Sequence, residues 1–278
     1  MTSYPDFGTI MARLLSHRGV DADWLSTESG VPAPELRGVL AGAAPLPAHL
    51  EALAPALGLH VADLYVIAAL PVPQALTPRE AAPGPRLADL VQYALALPPD
   101  QRDRVHRLVD QLRQESPEGP LDPPRMADQR EGGFGAALVN LLFGNRNLRS
   151  LRAAAKLLFL LTNGHLCLAE TTIAALARGG VPLTPDMVAG FARALGLSEG
   201  DLAAVVGVGL PEPRWPDDPL AAEMAGLLWN CRLLASAQVD QVYAATRSML
   251  VPMPAGASDE DWNSVYYQDG TWWGAPKQ

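Results

Sequence analysis

An all-α fold is predicted by three features of the sequence. Hydrophobic residues make up 49% of the 278 positions, and most of them are Leu and Ala, which favour helix over sheet. β-Branched and aromatic residues are few before residue 251. Proline and glycine recur where short helices would begin and end. A chain of this length can form two ordinary domains, each with its own core.

Short helices are predicted over residues 1–70, at about 6–17, 21–29, 33–41, 46–57 and 61–69. DADW and PAPE supply acidic or proline helix starts, and glycines supply the stops. A helical hairpin follows over 86–113, with a Pro98-Pro99 turn and Asp100 as N-cap. Its second helix has an apolar stripe, which fits either core packing or a dimer seam. The stripe consists of Val105, Leu108, Val109 and Leu112.

Three strings recur in the same order, which indicates an internal duplication. FGTIMARLL at residue 7 matches FGAALVNLL at residue 134, so the offset is 127 residues. PALGLHVADL (55–64) matches RALGLSEGDL (193–202), and LPPDQRDRV (97–105) matches LASAQVDQV (234–242), at offsets of about 137. About ten extra residues therefore lie in the second copy, between its Phe-Gly start and its Leu-Gly-Leu string.

The predicted organisation has four parts. Residues 1–115 form the first unit with its hairpin, and residues 134–250 form a divergent second copy. Residues 116–133 (SPEGPLDPPRMADQREGG) have several helix breakers and no apolar period, so a linker is predicted there. Residues 251–278 form an aromatic tail.

Composition argues against several protein classes. No run of about eighteen apolar residues occurs, and the N-terminal sequence lacks a basic start followed by an apolar block, so neither a membrane span nor a secretory signal is predicted. Cys167 and Cys231 lie in apolar runs and are expected to be reduced core thiols of a cytoplasmic protein. The net charge of −9 works against non-specific attraction to phosphate backbones.

The stretch LSTESGVPAPELRGVLAG, residues 25–42, contains a short helix, a glycine turn and a second short helix. It resembles the helix-turn-helix of Cro/C1-type (XRE-like) regulators, and the resemblance extends over residues 7–70. The resemblance implies a lambda-repressor-like helical bundle, and the duplication then predicts two such bundles in tandem, each followed by a helical hairpin. A short aromatic C-terminal β-hairpin or extended tail is predicted after them. The residues that carry the resemblance are Leu25, Gly30, Val31, Leu36, Val39, Leu40, Gly42, Pro45, Leu57, Gly58, Leu59, Asp63 and Leu64.

In that family the third helix enters the major groove and presents hydrogen-bonding groups to base edges. In the first copy this helix, PAPELRGVLA, has only Glu35 and Arg37 as polar side chains. The three basic residues of 1–70, Arg13, Arg18 and Arg37, face seven carboxylates. The residues that pack the helices against each other are kept, while most of the polar side chains that would contact bases are missing. If DNA is bound, Arg13 and Arg18 are expected to hold phosphates and Arg37 to lie near the bases.

The second copy has a basic stretch without carboxylates between Glu131 and Glu170. Arg149, Arg152 and Lys156 follow at spacings of three and four, so they are predicted on one helix face, with Arg146 just ahead. This stripe is either a phosphate-contacting strip or a solvated face opposite a leucine core. The third helix, CLAETTIAALARGG, adds three candidate DNA-contacting residues: Thr171, Thr172 and Arg178.

No arrangement typical of catalysis or metal binding is found in the sequence. The five histidines are scattered, and there is no glycine-rich phosphate loop, nucleophile elbow or Ser/Cys–His pattern. The sequence therefore indicates neither an enzyme nor a bound cofactor or metal.

The tail has a different character from the rest of the chain. VYYQDGTWWG places Asp-Gly between two short aromatic runs, which is the strongest β-hairpin signal in the sequence. Such a hairpin docks either on the chain itself or on a protein partner. Its candidate partner-binding residues are Trp262, Tyr266, Tyr267, Trp272 and Trp273.

Two functions are compatible with these patterns. The first is a DNA-binding transcriptional regulator, in which the duplicated unit forms a single-chain pseudo-dimer on double-stranded DNA. The second is a degenerate helix-turn-helix scaffold for protein–protein interaction in a regulatory complex. It would hold a partner or a second copy through the helical hairpins or the aromatic tail. A weaker third hypothesis is a regulator that senses a small molecule in a pocket between the copies.

Overall fold

The computed structural model describes residues 4–78, 84–115, 126–210, 212–256, 262–266 and 272–276. These residues form fourteen α-helices and a small β-sheet, which confirms the predicted helical character. The first seven helices are α1 (Phe7–Arg18), α2 (Ala22–Ser29), α3 (Ala33–Leu40), α4 (Pro47–Ala56), α5 (Val61–Ile67), α6 (Gly84–Ala96) and α7 (Pro99–Gln114). The second seven are α8 (Gln129–Asn140), α9 (Leu151–Leu161), α10 (Glu170–Ala177), α11 (Pro185–Leu195), α12 (Glu199–Val206), α13 (Pro219–Cys231) and α14 (Ser236–Ser248).

The helix ends of the first half follow the predicted signals. The Asp6 carboxylate accepts a hydrogen bond from the Thr9 backbone N–H at the start of α1, and Asp21 caps α2 in the same way. Gly19 ends α1 in the left-handed conformation, with φ of 66°, which glycine adopts without steric cost. One cap differs from the prediction: Pro98, not Asp100, caps α7, because the proline at Pro99 already fits the first helical position.

The two halves have the same internal contacts. In the first half α1 packs on α3, α2 packs on both α3 and α4, and α4 packs on α5. In the second half the helices at the same places in the order repeat these contacts: α8 packs on α10, α9 on both α10 and α11, and α11 on α12.

The repeated Phe-Gly string has the same physical role in both halves. A Cβ added at Gly8 would lie 2.4 Å from the Val39 carbonyl oxygen, and a Cβ added at Gly135 would lie 2.3 Å from the Leu176 carbonyl oxygen. Both distances are far below van der Waals contact, so only glycine allows the first helix of each half to approach the end of the third helix this closely.

Several contacts between the halves are reciprocal, and α6 also packs on α9. Helix α1 of the first half packs on α12, and α5 packs on α8 and on the π-helical turn Leu141–Asn145 that continues it. The two hairpins also meet, since α6 and α7 both pack on α13 and α14. One continuous hydrophobic core results, with buried residues from both halves. The apolar stripe of α7 faces α13 and α14, so the predicted seam lies inside the chain.

The extra residues of the second half lie between α8 and α10. The π-helical turn lengthens the first helix, and such turns insert a residue into a helix. Helix α9 has eleven residues where α2 has eight. The connection from α9 to α10 covers 162–169, whereas the connection from α2 to α3 covers only 30–32.

Two predictions differ in part from the structure. The proposed linker 116–133 contains a short helical segment from Gln129, which Asp128 caps, and the non-helical backbone of Gly133, with φ of 58° and ψ of −146°, separates this segment from the rest of α8. Residues 116–125 lie outside the described part of the chain. Cys167 is exposed and so is not a core thiol, while Cys231 is buried, and burial raises the pKa of its thiol to about 12.

The predicted β-hairpin is confirmed and has an additional strand. The strands are β1 (Val251–Pro252), β2 (Trp262–Tyr266) and β3 (Trp272–Pro276), in the antiparallel order β1-β3-β2. Tyr266 pairs with Trp272, and Trp262 pairs with Pro276. Strands β2 and β3 contact α6, so the tail docks on its own chain.

No single helix in the described part of the chain is long and apolar enough to cross a membrane. Helices α4 and α5 together reach the required length and apolar composition, but a bend of 118° separates them.

Candidate functional site

Helix α3 exposes few groups that could contact a nucleic acid. Its buried residues, Leu36 and Val39, face the core. Arg37 is exposed, but its Nη2 donates to Asp23 at 2.8 Å. Glu35 is paired with the ring of His49, whose Nε2 lies 3.0 Å from Oε2 of the glutamate. Arg37 and Glu35 are thus both paired within the chain, and this helix offers little unpaired positive charge to a phosphate.

Apolar side chains flank the same helix. The Trp24 side chain on α2 is 37% exposed, and the Leu46 side chain before α4 is 59% exposed. Pro32 and Pro34, at the start of α3, are also exposed, and in the sequence they lie between Trp24 and Leu46. We call Trp24, Pro32, Pro34 and Leu46 the α3 apolar surface.

Helix α10 of the second half has more free polar groups. Thr171 and Arg178 are exposed, and Thr172 is half-buried. Arg178 is the C-terminal cap residue of the helix. No ion pair to Arg178 is found among the residues that the structure describes.

The predicted basic stripe of the second half does not exist as one helix face. Arg146 is fully buried, so it cannot reach a phosphate. Arg149 precedes α9, in a backbone conformation with φ of 41°, and Ser150 caps the helix after it. Lys156 donates to Asp89 on α6 at 2.5 Å. Arg152 remains exposed on α9. Because Arg149 lies outside α9, its spacing of three from Arg152 does not place the two side chains on one helix face.

In the first half, Arg13 and Arg18 lie at the contact with α12, and Arg13 shares a surface depression with Leu40 at the end of α3. The Arg18 guanidinium donates to both carboxylate oxygens of Asp201, at 3.0 and 2.7 Å. A Cβ added at Gly207 would lie 2.7 Å from Nη1 of Arg13, so this exposed side chain lies against the end of α12. Although burial raises the pKa of Asp201, the hydrogen bonds and charge of Arg18 lower it below its ordinary value.

A second ion pair joins the halves in the reciprocal direction. Arg146, just after the π-helical turn, donates through Nη1 to Asp63 on α5, and both side chains are fully buried. Asn145 also donates to Asp63, at 2.7 Å, and Arg146 donates to the Leu195 carbonyl oxygen at 2.8 Å. Asp63 and Asp201 occupy matching places in the strings HVADL and SEGDL. Each half therefore supplies an arginine after its first long helix and an aspartate on its fifth.

Around the buried pair lies a cation-rich aromatic cluster centred on Trp229. The His60 ring stacks on the indole with 3.5 Å between ring centroids and an interplanar angle of 5°. The guanidinium carbons of Arg232 and Arg146 lie 3.9 and 4.8 Å from the centroid of the same ring. Arg232 also donates to the Leu76 carbonyl oxygen at 2.7 Å. The cluster binds α5 to α13.

Burial lowers the pKa of His60 to about 4. The charge of Asp63 opposes this shift, and the charges of Arg146 and Arg232 add to it. Burial likewise lowers the pKa of Arg232 to about 10. His60 is therefore neutral at neutral pH, while Arg232 keeps its charge.

The stability of the protein is expected to fall as the pH decreases from 6.5 to about 4. In this window the unfolded chain binds a proton at His60 and the folded chain does not, so the contribution is complete above 6.5 and lost by about 4. His60→Phe keeps a ring on Trp229 without titrating, and its melting temperature should change less across the window. Equal pH dependence in the two proteins would contradict this assignment.

The aromatic tail is partly used within the chain. Trp273 is half-buried and packs against the hydrophobic core, and Trp262 is half-buried beside Phe159 and Leu95. Tyr266 and Trp272 lie on paired strands, and Tyr267 lies outside the described residues. The tail therefore packs against its own chain.

Sequence reasoning does not identify Trp229, His60 or Arg232, because they come together only through the contact between α5 and α13. A signal for the reciprocal ion pairs was present. Arg18 and Arg146 follow the matched Phe-Gly strings at nearly one offset, and Asp63 and Asp201 match in the Leu-Gly-Leu strings. Opposite charges at matched positions of a duplicated unit indicate pairing across its interface.

No three His, Cys, Asp or Glu side chains lie close enough to hold a metal ion in the described part of the chain. Comparison with known proteins found no matching family model, no matching curated protein and no matching solved structure. The resemblance to Cro/C1-type regulators therefore rests on the residues of this chain alone.

Proposed function

We propose that this chain is a single-chain pseudo-dimer of two degenerate helix-turn-helix units, and that it acts as a protein-interaction scaffold in a regulatory complex. The observation that carries the proposal is the use of its basic residues. Arg18, Arg37, Arg146 and Lys156 are all engaged by carboxylates of the same chain. A DNA-binding unit needs such charges free, because release of phosphate counterions supplies much of its affinity. The proposal includes a cytoplasmic location and no catalytic activity.

The pseudo-dimer part of the proposal is supported by three independent features. The contacts among helices α1 to α5 recur among helices α8 to α12. Gly8 and Gly135 make the same close approach to the end of a third helix. The ion pairs Arg18–Asp201 and Arg146–Asp63 are reciprocal, as in a two-fold interface, where the same patch of each subunit contacts the other.

The scaffold part is supported by the α3 apolar surface. Trp24 and Leu46 are large and exposed beside the helix that the family uses to read DNA. Exposed aromatic side chains with neutralised charges around them are typical of protein interfaces, where charged residues are depleted at the centre. The ion pairs Arg37–Asp23 and His49–Glu35 border this surface.

A second candidate function, DNA binding, is favoured by one specific observation. Arg152 and Arg178 in the second half are exposed, and no carboxylate pairs with them among the described residues. Thr171 lies exposed on the same third helix as Arg178. In this case the second half would contact the phosphates and the first half would not.

Two experiments together separate the two functions. We expect no saturable binding of labelled genomic fragments in fluorescence anisotropy, even at a low salt concentration of about 50 mM. In cross-linking mass spectrometry with cell extract, we expect a recurrent partner whose cross-links fall when Trp24 and Leu46 are both changed to Ser. The matched control is Phe159→Ser, since Phe159 is also large and 46% exposed but lies on α9.

Two outcomes would contradict the scaffold proposal. The first is salt-sensitive DNA binding that is lost in the double variant Arg152→Ala, Arg178→Ala. The second is a partner set that the change at Trp24 and Leu46 leaves intact or that Phe159→Ser reduces equally.

A further inference from the structure

Two equivalent grooves lie between the halves. The first groove lies between the end of α5 and α8, and the second lies between the end of α12 and α1. The walls formed by α5 and by α12 correspond residue by residue at an offset of 138 positions. Val66, Ala69, Leu70 and Pro71 line the first groove where Ala204, Gly207, Val208 and Gly209 line the second.

The helix that forms the opposite wall differs between the grooves. In the second groove Arg13 lies against Gly207, and the His17 ring lies against Gly200, where a Cβ would be 2.5 Å from Nε2. Most of these lining side chains are exposed, so the second groove is a surface depression.

In the first groove the equivalent of Arg13 is Asn140, which has a shorter side chain. Its side-chain amide forms two hydrogen bonds with the Ala127 backbone, at 2.8 and 2.9 Å. Val66, Asn140 and Gly144 on the walls are buried. A cavity of about 430 Å³ results, with residues 66–77 of the first half on one side and 126–145 of the second half on the other.

The lining of this cavity defines the chemistry of a ligand. One wall is apolar, formed by Val66, Leu70 and Val72. Gln129 and Asn145 are buried on the other wall, and their amide nitrogens are already used, by the Val66 carbonyl oxygen and by Asp63. Among the described residues no hydrogen bond reaches the side-chain oxygens of Gln129 and Asn145, so this buried part of the lining offers acceptors. The Thr77 hydroxyl already donates to the Gln74 carbonyl oxygen, and Arg130 is exposed at the edge.

The two charged side chains that line the cavity have opposite signs. Asp128 and Arg130 are both exposed and carry opposite charges. No buried charged side chain lines the cavity, so an ion inside it would lack a compensating partner.

We propose that the first groove binds a compact, uncharged and mainly apolar small molecule that carries a hydrogen-bond donor. The volume lies within the range of small-molecule sites, about 300–1,000 Å³. Because both halves line it, an occupant would stabilise their association. This site is independent of the surface proposed above for a protein partner.

The test uses three probes of one shape: 2-naphthol, 2-methoxynaphthalene and 2-naphthoate. Isothermal titration calorimetry with the full chain should give one saturable site for 2-naphthol. The affinity should fall about tenfold for 2-methoxynaphthalene, which has no donor, and further for the anion, as expected when a buried acceptor loses its partner.

Matched variants locate the site. Val72→Trp should abolish binding of 2-naphthol, whereas Leu210→Trp, at the equivalent position of the second groove, should not. If Val72→Trp does not fold, Asn140→Arg places the second groove's residue in the first and should also block the probe. The proposal is overturned if no probe saturates, if 2-naphthoate binds best, or if the change in the second groove has the same effect as the change in the first.

Discussion

Arg146→Met is expected to lower the free energy of unfolding by about 3–5 kcal/mol, the largest effect of any single ionic residue. The variant leaves the fully buried carboxylate of Asp63 without its cation, and only Asn145 continues to donate to it. It also removes the hydrogen bond to the Leu195 carbonyl oxygen. Chemical denaturation followed by circular dichroism measures the change.

Two controls make the result specific to burial. Arg18→Met breaks the reciprocal pair, whose side chains are 24% and 17% exposed, and should cost only about 1 kcal/mol because water replaces part of the interaction. The double variant Asp63→Leu, Arg146→Met removes both charges and should recover most of the loss. Equal effects of the two single changes would refute the assigned difference in burial.

Gly8→Ala and Gly135→Ala are each expected to destabilise the protein by about 1–3 kcal/mol. In both variants the new Cβ would lie within 2.4 Å of a carbonyl oxygen of the third helix, so the first helix must move outward. Similar losses at the two positions would support equivalent roles in the two halves. Thermal unfolding by calorimetry provides the measurement.

Gly38→Ala and Gly226→Ala are the matched controls, because both glycines are helical and a Cβ at either meets no atom within 4 Å. Alanine should stabilise these positions by up to about 1 kcal/mol through its higher helix propensity. If Gly135→Ala proved as harmless as Gly226→Ala, the close approach of α8 to α10 would be wrong.

The helices and their order were predictable from local signals. Proline, aspartate and glycine mark helix ends through the geometry of single residues, so Asp6, Asp21, Gly19 and Gly30 could be interpreted without tertiary information. The β-hairpin was predictable for the same reason, because Asp-Gly favours a tight turn.

Whether each basic residue is buried or exposed could not be predicted from such local signals. Arg146 and Arg152 look alike in the sequence, yet one is fully buried and the other is exposed. The difference depends on the π-helical turn before Arg146, which directs that residue toward α5, and on Asp63, which lies 83 residues away. Helical periodicity carries no information about such long-range partners.

In the pseudo-dimer proposed above, the two ion pairs can differ in burial because both halves belong to one chain. In a homodimer a substitution changes both symmetry-related sites at once, so the two sites must remain identical. On a single chain each site changes alone, which allows one salt bridge to be sealed from water while its counterpart stays near solvent. The same freedom lets one groove open while the other keeps its arginine, so a ligand would bind with a stoichiometry of one per chain.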